Sequence, residues 1–269
     1  MKKTELSFTV ASYNLLATAY IHYGLYRRTP KLVLDPAWRI PALVQHVSGL
    51  GADLICLQEV EANTLAALRT RLTVLGYSAE YARKAGGNPD GCATFYRTDS
   101  FELIAKKVIE YSDAAERGVR SGHIALLLVL RVDGRNLGIA NTHLRWDPPE
   151  TPHVASIGRR QALQLLDECR RVAAPMDGWL ICGDLNATPD SEIVAIFERA
   201  GFQQAHSGLT DAYTCKVNTE VKTIDYLLYS PEFGAEPQKP LQISDRTVMP
   251  SPEQPSDHLP IMARFFWKS

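Results

Sequence analysis

The chain has 269 residues, 45% of them hydrophobic, and a formal net charge of −1. That is ample material for a sizeable core, in one large domain or two small ones. The near-neutral balance argues against the basic surface that grips long nucleic acid through many phosphates and leaves room for a local basic patch, so any such substrate is expected to be held locally, at an end or over a few nucleotides. Short basic pairs such as Arg27-Arg28, Arg159-Arg160 and Arg170-Arg171 read as solvated helix faces.

In chain order, Leu6–Tyr13 alternates and is rich in β-formers, which predicts a first strand. Pro36–Leu50 places Ile40, Leu43, Val44 and Val47 at helical spacing and stops at a glycine-rich end. Asp53–Leu57 is a short buried strand ending in Gln58-Glu59, and Leu65, Leu68, Leu72 and Leu75 mark a helix closed by Gly76. Tyr77–Tyr81, Gly91–Arg97, Phe101–Tyr111, His123–Val132 and Leu137–Thr142 read as strands, with turns at Asn88–Gly91 and Asp133–Asn136. A long helix follows over Val154–Val172, then a strand at Trp179–Cys182, a helix over Pro189–Ala200, and strands at Ile224–Tyr229 and Leu259–Phe266. Stretches 19–36, 83–90, 112–122, 203–223 and 231–256 read as loops around the mouth of a site.

Hairpins outnumber strand-helix-strand crossovers. This predicts an α/β fold with two mainly antiparallel sheets packed face to face and helices outside. No repeat or linker divides the chain, and polar clusters run from its beginning to its end, so a single domain over 1–269 is expected. The five cysteines are odd in number and none form a C-x-x-C pair, which favours a reducing compartment over a zinc site or a disulfide framework. Met1-Lys2-Lys3 and the later Leu15–Ala19 faintly resemble a signal peptide, but Glu5, Ser7, Thr9 and Asn14 interrupt any apolar stretch. No run approaches the ~20 apolar residues of a membrane span. A cytoplasmic protein with no membrane association and no obligate protein partner is expected.

The most informative run is Ile181-Cys182-Gly183-Asp184-Leu185-Asn186. Strand side chains alternate faces, so Asp184 and Asn186 are able to project to one side, a carboxylate and an amide suited to a hard cation and a phosphoryl oxygen. Glu59 at the end of a buried strand is either a Mg²⁺ ligand or the acidic start of the next helix. Asn14 is either a phosphate contact or a turn cap. Asn141 and His143 share a face, and His143 is able to take or give a proton. Asp225 interrupts an apolar strand and needs a partner, for which His258 is the candidate: the carboxylate fixes the imidazole tautomer and stabilises its charged form, while Asp257 faces a metal. The Gly-x-Ser-x-Gly and Walker-A motifs are absent. The remaining set suits a metal-activated water attacking phosphorus, with donors on the non-bridging oxygens.

Taken together, Ser12-Tyr13-Asn14, Leu57-Gln58-Glu59, Asn141-Thr142-His143, Gly183-Asp184-Leu185-Asn186, Ile224-Asp225-Tyr226 and Ser256-Asp257-His258 resemble the endonuclease/exonuclease/phosphatase superfamily, over nearly the whole chain. The resemblance implies a four-layer α/β sandwich, divalent-metal dependence (Mg²⁺, with Mn²⁺ as an alternative) and phosphoester hydrolysis. It implies metal ligation at Glu59, with Asp184 and Asn186 positioning water and phosphate, an Asp225–His258 pair, and phosphate contacts from His143 and Asn14.

Asn88–Ala93, Trp146-Asp147-Pro148, Leu185–Ser191 and Thr223–Ser230 further resemble the deadenylase branch of that superfamily. The branch implies substrates with an adenylate end: an RNA 3′ end or a small adenine nucleotide. Pro148 matches the proline that sandwiches a base in that branch, but Glu220-Val221-Lys222 stands where its stacking aromatic is expected, and Tyr213 is the candidate substitute. Lys84, Arg145, Trp146 and Asn141 are expected substrate contacts. Two other readings compete. One is a phosphoesterase for a lipid or inositol head group, since fold alone does not choose a substrate. The other is a non-catalytic binding module.

Overall fold

The computed structural model describes residues 7–113, 120–148, 150–217 and 219–268. The basic Met1-Lys2-Lys3 start, Glu5, Leu6 of the first predicted strand and part of the predicted 112–122 loop lie outside the described residues. The elements, in order, are β1 (Ser7–Asn14), a 3₁₀ turn (Thr18–Tyr20), α1 (Lys31–Leu34), α2 (Pro36–Gly49), β2 (Leu54–Gln58), α3 (Ala62–Val74), β3 (Tyr77–Arg83), β4 (Gly91–Arg97), β5 (Glu102–Glu110), β6 (Ile124–Val132) and β7 (Arg135–His143). They continue with α4 (Ile157–Arg170), β8 (Gly178–Asp184), α5 (Glu192–Arg199), β9 (Gln203–Gln204), β10 (Cys215–Val217), β11 (Glu220–Lys222), β12 (Asp225–Tyr229), β13 (Phe233–Gln238) and β14 (Ile261–Trp267).

Two six-stranded sheets carry the fold, in the orders β13-β14-β1-β2-β4-β3 and β5-β6-β7-β8-β12-β9. Each is mixed. The pairs β1·β2 and β7·β8 are parallel, and every other neighbouring pair is antiparallel. The expected mainly antiparallel sandwich is thus correct, with one parallel pair at the middle of each sheet. A parallel pair needs a crossover, and α2 and α4 supply the two.

The sheets pack through Phe8, Val10, Leu54 and Cys56 on one side and Leu126, Leu128, Leu180, Cys182 and Leu227 on the other. Leu43, Val47, Leu68 and Leu72 of α2 and α3 cover the outer face of the first sheet against Ile55, Leu57 and Phe95. Ala162, Leu165, Val194 and Phe197 of α4 and α5 cover the second against Leu127, Ile181 and Leu228. Helix, sheet, sheet, helix gives the expected four layers. Sheets covered on both faces explain why β6 is buried at nearly every residue.

Two helices start later than the sequence pattern suggests. Ser156 accepts from Arg159 N and caps α4, and Ser191 accepts from Val194 N and caps α5, so the chain before each is not helical. Two stretches read as loops hold strands. The 203–223 stretch contains β9 and the β10–β11 hairpin, and 231–256 contains β13. Gly234 and Pro237 disguise β13; it lies at a sheet edge, where a missing N–H is tolerated. No helix among the described residues is long and apolar enough to cross a membrane.

Candidate active site

The strand register builds the site. In the second sheet His143 on β7, Asp184 on β8 and Asp225 on β12 are direct neighbours across the strands, so their side chains share one face. In the first sheet Asn14 ends β1 opposite Gln58, one residue before Glu59. Both parallel pairs thus end at one place. The backbone turns sharply there: Glu59 has φ 56° and Asn186 φ 50°. Gly183 has φ 146°, and a Cβ on it would lie 1.8 Å from Thr142 O, so the bend before Asp184 needs glycine.

Asp184 is the centre. Its Oδ2 accepts from Asn14 Nδ2 at 3.0 Å and lies 3.7 Å from His143 Nε2 and 3.8 Å from His258 Nε2. Its Oδ1 accepts from Asn186 N at 2.8 Å. Asn14 Nδ2 also reaches Glu59 Oε1 at 3.1 Å, and Glu59 Oε2 accepts from Ala17 N. His258 Nδ1 lies 2.9 and 3.1 Å from the two oxygens of Asp225, which leaves Nε2 for the site. Ser256 fixes this turn by donating to Asn14 O. Asp257 Oδ2 accepts from the Tyr26 hydroxyl, while Asp257 Oδ1 is buried with no hydrogen-bond partner.

These neighbours set the charge states. Burial lowers the pKa of His258, but the Asp225 carboxylate and then Cys215 together outweigh it and hold the imidazole well above its ordinary value. Burial and then Asp225 push Asp184 up to about 7. Burial also raises Glu59, against the pull of Lys84. His143 is held well below its ordinary value, first by burial and then by Lys84. Asn186 Nδ2 lies 3.0 Å from His143 Nε2 and Lys84 Nζ 3.3 Å from Nδ1. Both neighbours are donors, so neither favours a proton on that ring.

The donor set fits a hard divalent cation. Glu59, Asp184 and Asp257 offer carboxylate oxygens, Asn186 an amide, and the unpartnered Asp257 Oδ1 is a buried acceptor with nothing to accept from. Among the described residues, the ligand atoms that lie within 4.8 Å of one another are those of Asp184, Asp225 and His258, and the ion pair already occupies Nδ1 of His258.

Beside Asn186 opens a cleft of about 930 Å³. Trp146 and Pro148 form one wall, and Val217, Glu220 and Lys222 of the β10–β11 hairpin another. Trp146 is 52% exposed. Asp147, between them, caps α4 by accepting from Ser156 Oγ, Ile157 N and Gly158 N. Arg145 is exposed, next to Trp146.

Three expectations are corrected. Asn141 is fully buried and its amide is fully engaged: Nδ2 donates to Leu57 O, Ala93 O and Thr94 Oγ1, and Oδ1 accepts from Gln58. It joins the two sheets and has nothing left for a substrate. Lys84 is buried against Asp90 at 2.8 Å and stands behind His143, away from the cleft. Tyr213 packs against Ile243, Met249 and Leu259 and is absent from the cleft lining, so among the described residues no aromatic replaces the expected stacking residue on the hairpin wall.

Sequence reasoning missed Tyr26, Tyr20 and His123. Tyr20 donates to Asp90, and His123 meets His143 edge-on at 5.6 Å between ring centroids. Asp90 was visible in Asn88-Pro89-Asp90-Gly91, but only as a turn residue. Tyr26 carries no local signal.

The Endonuclease/Exonuclease/phosphatase family model matches residues 11–258. Protein angel homolog 2 of Danio rerio is 32% identical over 204 residues, 71% of this chain and 35% of that protein. The CCR4-Not complex 3′-5′-exoribonuclease subunit Ccr4 of Yarrowia lipolytica is 27% identical over 346 residues, 97% of this chain and 48% of that protein. The chain therefore spans less than half the length of these curated relatives. Among solved structures, ANGEL2, a 2′,3′-cyclic phosphatase, in complex with adenosine-2′,3′-vanadate, superposes with a TM-score of 0.84 at 23% identity, covering 98% of this chain and 97% of that one. The human Nocturnin catalytic domain gives 0.73 at 22%, covering 98% and 96%. The chain belongs to the Endonuclease/Exonuclease/phosphatase family, a family of phosphoric ester hydrolases.

Proposed function

We propose that this chain is a Mg²⁺-dependent phosphodiesterase, with Mn²⁺ able to replace Mg²⁺, acting on the 3′ end of RNA or on a small adenine nucleotide. The observation that carries the reading is the placement of the Asp225–His258 ion pair against Asp184 Oδ2, 3.8 Å from His258 Nε2, beside a cleft walled by Trp146 and Pro148. Glu59, Asp184, Asn186 and Asp257 would hold the cation, which when bound polarises a phosphoryl oxygen and acidifies water. Asp184, at the centre of the site with Asn14 and Asn186 bonded to its two oxygens, orients the attacking water and takes its proton as oxygen bonds to phosphorus. His258, protonated by virtue of Asp225, hydrogen-bonds a non-bridging oxygen from Nε2 as the ester bond breaks; the departing oxygen takes a proton from solvent water, and Asp184 returns its own to solvent. His143 and Asn186 stand beside Asp184 and complete the phosphate contacts, while Asn14, fully buried with its amide engaged by Glu59, Asp184 and Leu16, holds those two carboxylates in place rather than the phosphate. Arg145 stands beside the cleft for the substrate backbone. The chain works as one catalytic domain over 1–269, without a protein partner, in a cytoplasmic setting that keeps its five buried cysteines reduced.

A second reading places the reaction at a terminal 2′,3′-cyclic phosphate. It is favoured by Glu220 and Lys222 on the cleft wall, where the deadenylase branch puts an aromatic, and by the likeness to Angel proteins.

The test compares oligo(A) and oligo(U) with free 3′-hydroxyls and oligo(A) ending in a 2′,3′-cyclic phosphate, in Mg²⁺, with Asp184→Ala as blank. Stepwise release of 5′-AMP from oligo(A) supports the first reading. Opening of the cyclic end without trimming supports the second. Inertness on all three, in enzyme that hydrolyses a sugar or lipid phosphate, sinks both.

A further inference from the structure

Tyr26 lies between the Thr18–Tyr20 turn and α1, 231 positions before Asp257. Its hydroxyl donates to Asp257 Oδ2 at 2.7 Å, and the two residues are 6% and 4% exposed. The other oxygen, Asp257 Oδ1, is buried without a hydrogen-bond partner and lies 4.0 Å from His258 Nε2. A buried carboxylate oxygen with nothing to accept from is unfavourable until a cation or donor takes it.

Tyr26 is held firmly in this position. Its ring packs with Leu16 and Leu34, and Thr29 Oγ1 donates to Pro250 O at 2.8 Å, which ties the same segment to the chain leading into Asp257.

We propose that Tyr26 is a positioning residue for the divalent cation: its hydroxyl occupies Asp257 Oδ2 and leaves Oδ1 as the single oxygen that Asp257 turns toward the metal. The proposal rests on the reading that Asp257 is a ligand. Without the hydroxyl the carboxylate is free to rotate and to present either oxygen, or both, to the ion. Loss of such a supporting contact typically lowers metal affinity about 10–100-fold.

The test is Mn²⁺ binding, followed by loss of the free-ion electron paramagnetic resonance signal, to wild type, Tyr26→Phe, Asp257→Asn and the double variant. Phenylalanine keeps the ring between Leu16 and Leu34, and far-ultraviolet circular dichroism checks the fold. Tyr23→Phe, on an exposed neighbour in the same segment, serves as control and should bind as wild type does. The expected result is a dissociation constant raised at least tenfold in Tyr26→Phe, with no further loss when Asp257→Asn is already present. Wild-type binding with full affinity in Tyr26→Phe overturns the proposal alone, as does a loss additive with Asp257→Asn. No binding by wild type, or no effect of Asp257→Asn, overturns the metal reading itself.

Discussion

Asn14 and Asp184, 170 positions apart, are joined by one hydrogen bond of 3.0 Å between the two sheets. The same Asn14 nitrogen reaches Glu59, so one amide holds a buried and a half-buried carboxylate beside each other without a charge of its own. Its carbonyl accepts from Leu16 N, which fixes which end of the amide faces the acids. Asn14→Ala should lower kcat/KM by about 10²–10³-fold, the scale of a lost preorganised donor. Steady-state kinetics with Asn14→Asp should be worse still, since a third acid would crowd the pair. Near-normal kinetics in Asn14→Ala would refute the placement.

The buried pair of Lys84 and Asp90 makes a stability prediction. Lys84→Met leaves a carboxylate that is 0% exposed without its cation. Removing one partner of such a pair costs about 3–5 kcal/mol. Adding Asp90→Asn to Lys84→Met should regain much of that loss, because the substituted amide is neutral and its carbonyl still accepts from Tyr20. Urea unfolding of wild type, the single variant and the double variant decides the matter, and equal stability of Lys84→Met and wild type would contradict it.

Acid stability should depend on His123. Burial, then Lys84 and Arg145, holds its pKa at about 4 in the folded chain. Between about 6.5 and that value the unfolded chain carries a proton that the folded chain does not. Stability therefore falls as pH drops through this window, by up to about 3 kcal/mol from this residue. His143 adds to the same acid limb. His123→Phe should show a shallower loss between pH 7 and pH 4 in chemical denaturation. An unchanged slope would contradict the assignment.

Asn141→Ala should behave as a folding variant. It takes a donor from Leu57 O and Ala93 O between the sheets and an acceptor from Gln58 Nε2, which keeps Ser12 Oγ and Cys56 O, a loss of about 1–3 kcal/mol for each group that finds no partner. The melting temperature should fall by several degrees, with KM unaltered below the transition. A rise in KM at full stability would restore Asn141 to the substrate site.

Trp146→Ala tests the cleft. A base stacked on an aromatic contributes about 1–3 kcal/mol, so KM for oligo(A) should rise about 5–150-fold with kcat little changed. An unchanged KM would mean that the base lies elsewhere.

The sequence pattern points to residues that the fold brings together because strand ends are legible: apolar runs that stop at Asn14, Glu59, His143 and Asp184 mark the places where polar groups leave the core. Depth was not legible. Asn141 does share a face with His143, as alternation requires, but lies one pleat further in, where that face meets the other sheet. Lys84 sits in a polar stretch that reads as surface, and its burial depends on Asp90 and Tyr20 folding over it. Partners separated by more than 200 positions, such as Tyr26 and Asp257, leave no local trace. β13 was hidden by Gly234 and Pro237, whose composition argues against a strand unless the strand is known to be an edge.

The place of β14 bears on biosynthesis. It pairs with β1, Ser7 opposite Phe266, and the turn carrying Asp257 and His258 leads directly into it. A nascent chain on the ribosome emerges from its N-terminal side first. β1 then waits, with one side unpaired, for a partner made more than 240 codons later. On the proposed chemistry, a growing polypeptide carrying Glu59, His143 and Asp184 remains inert toward phosphoesters until that last strand has cleared the exit tunnel.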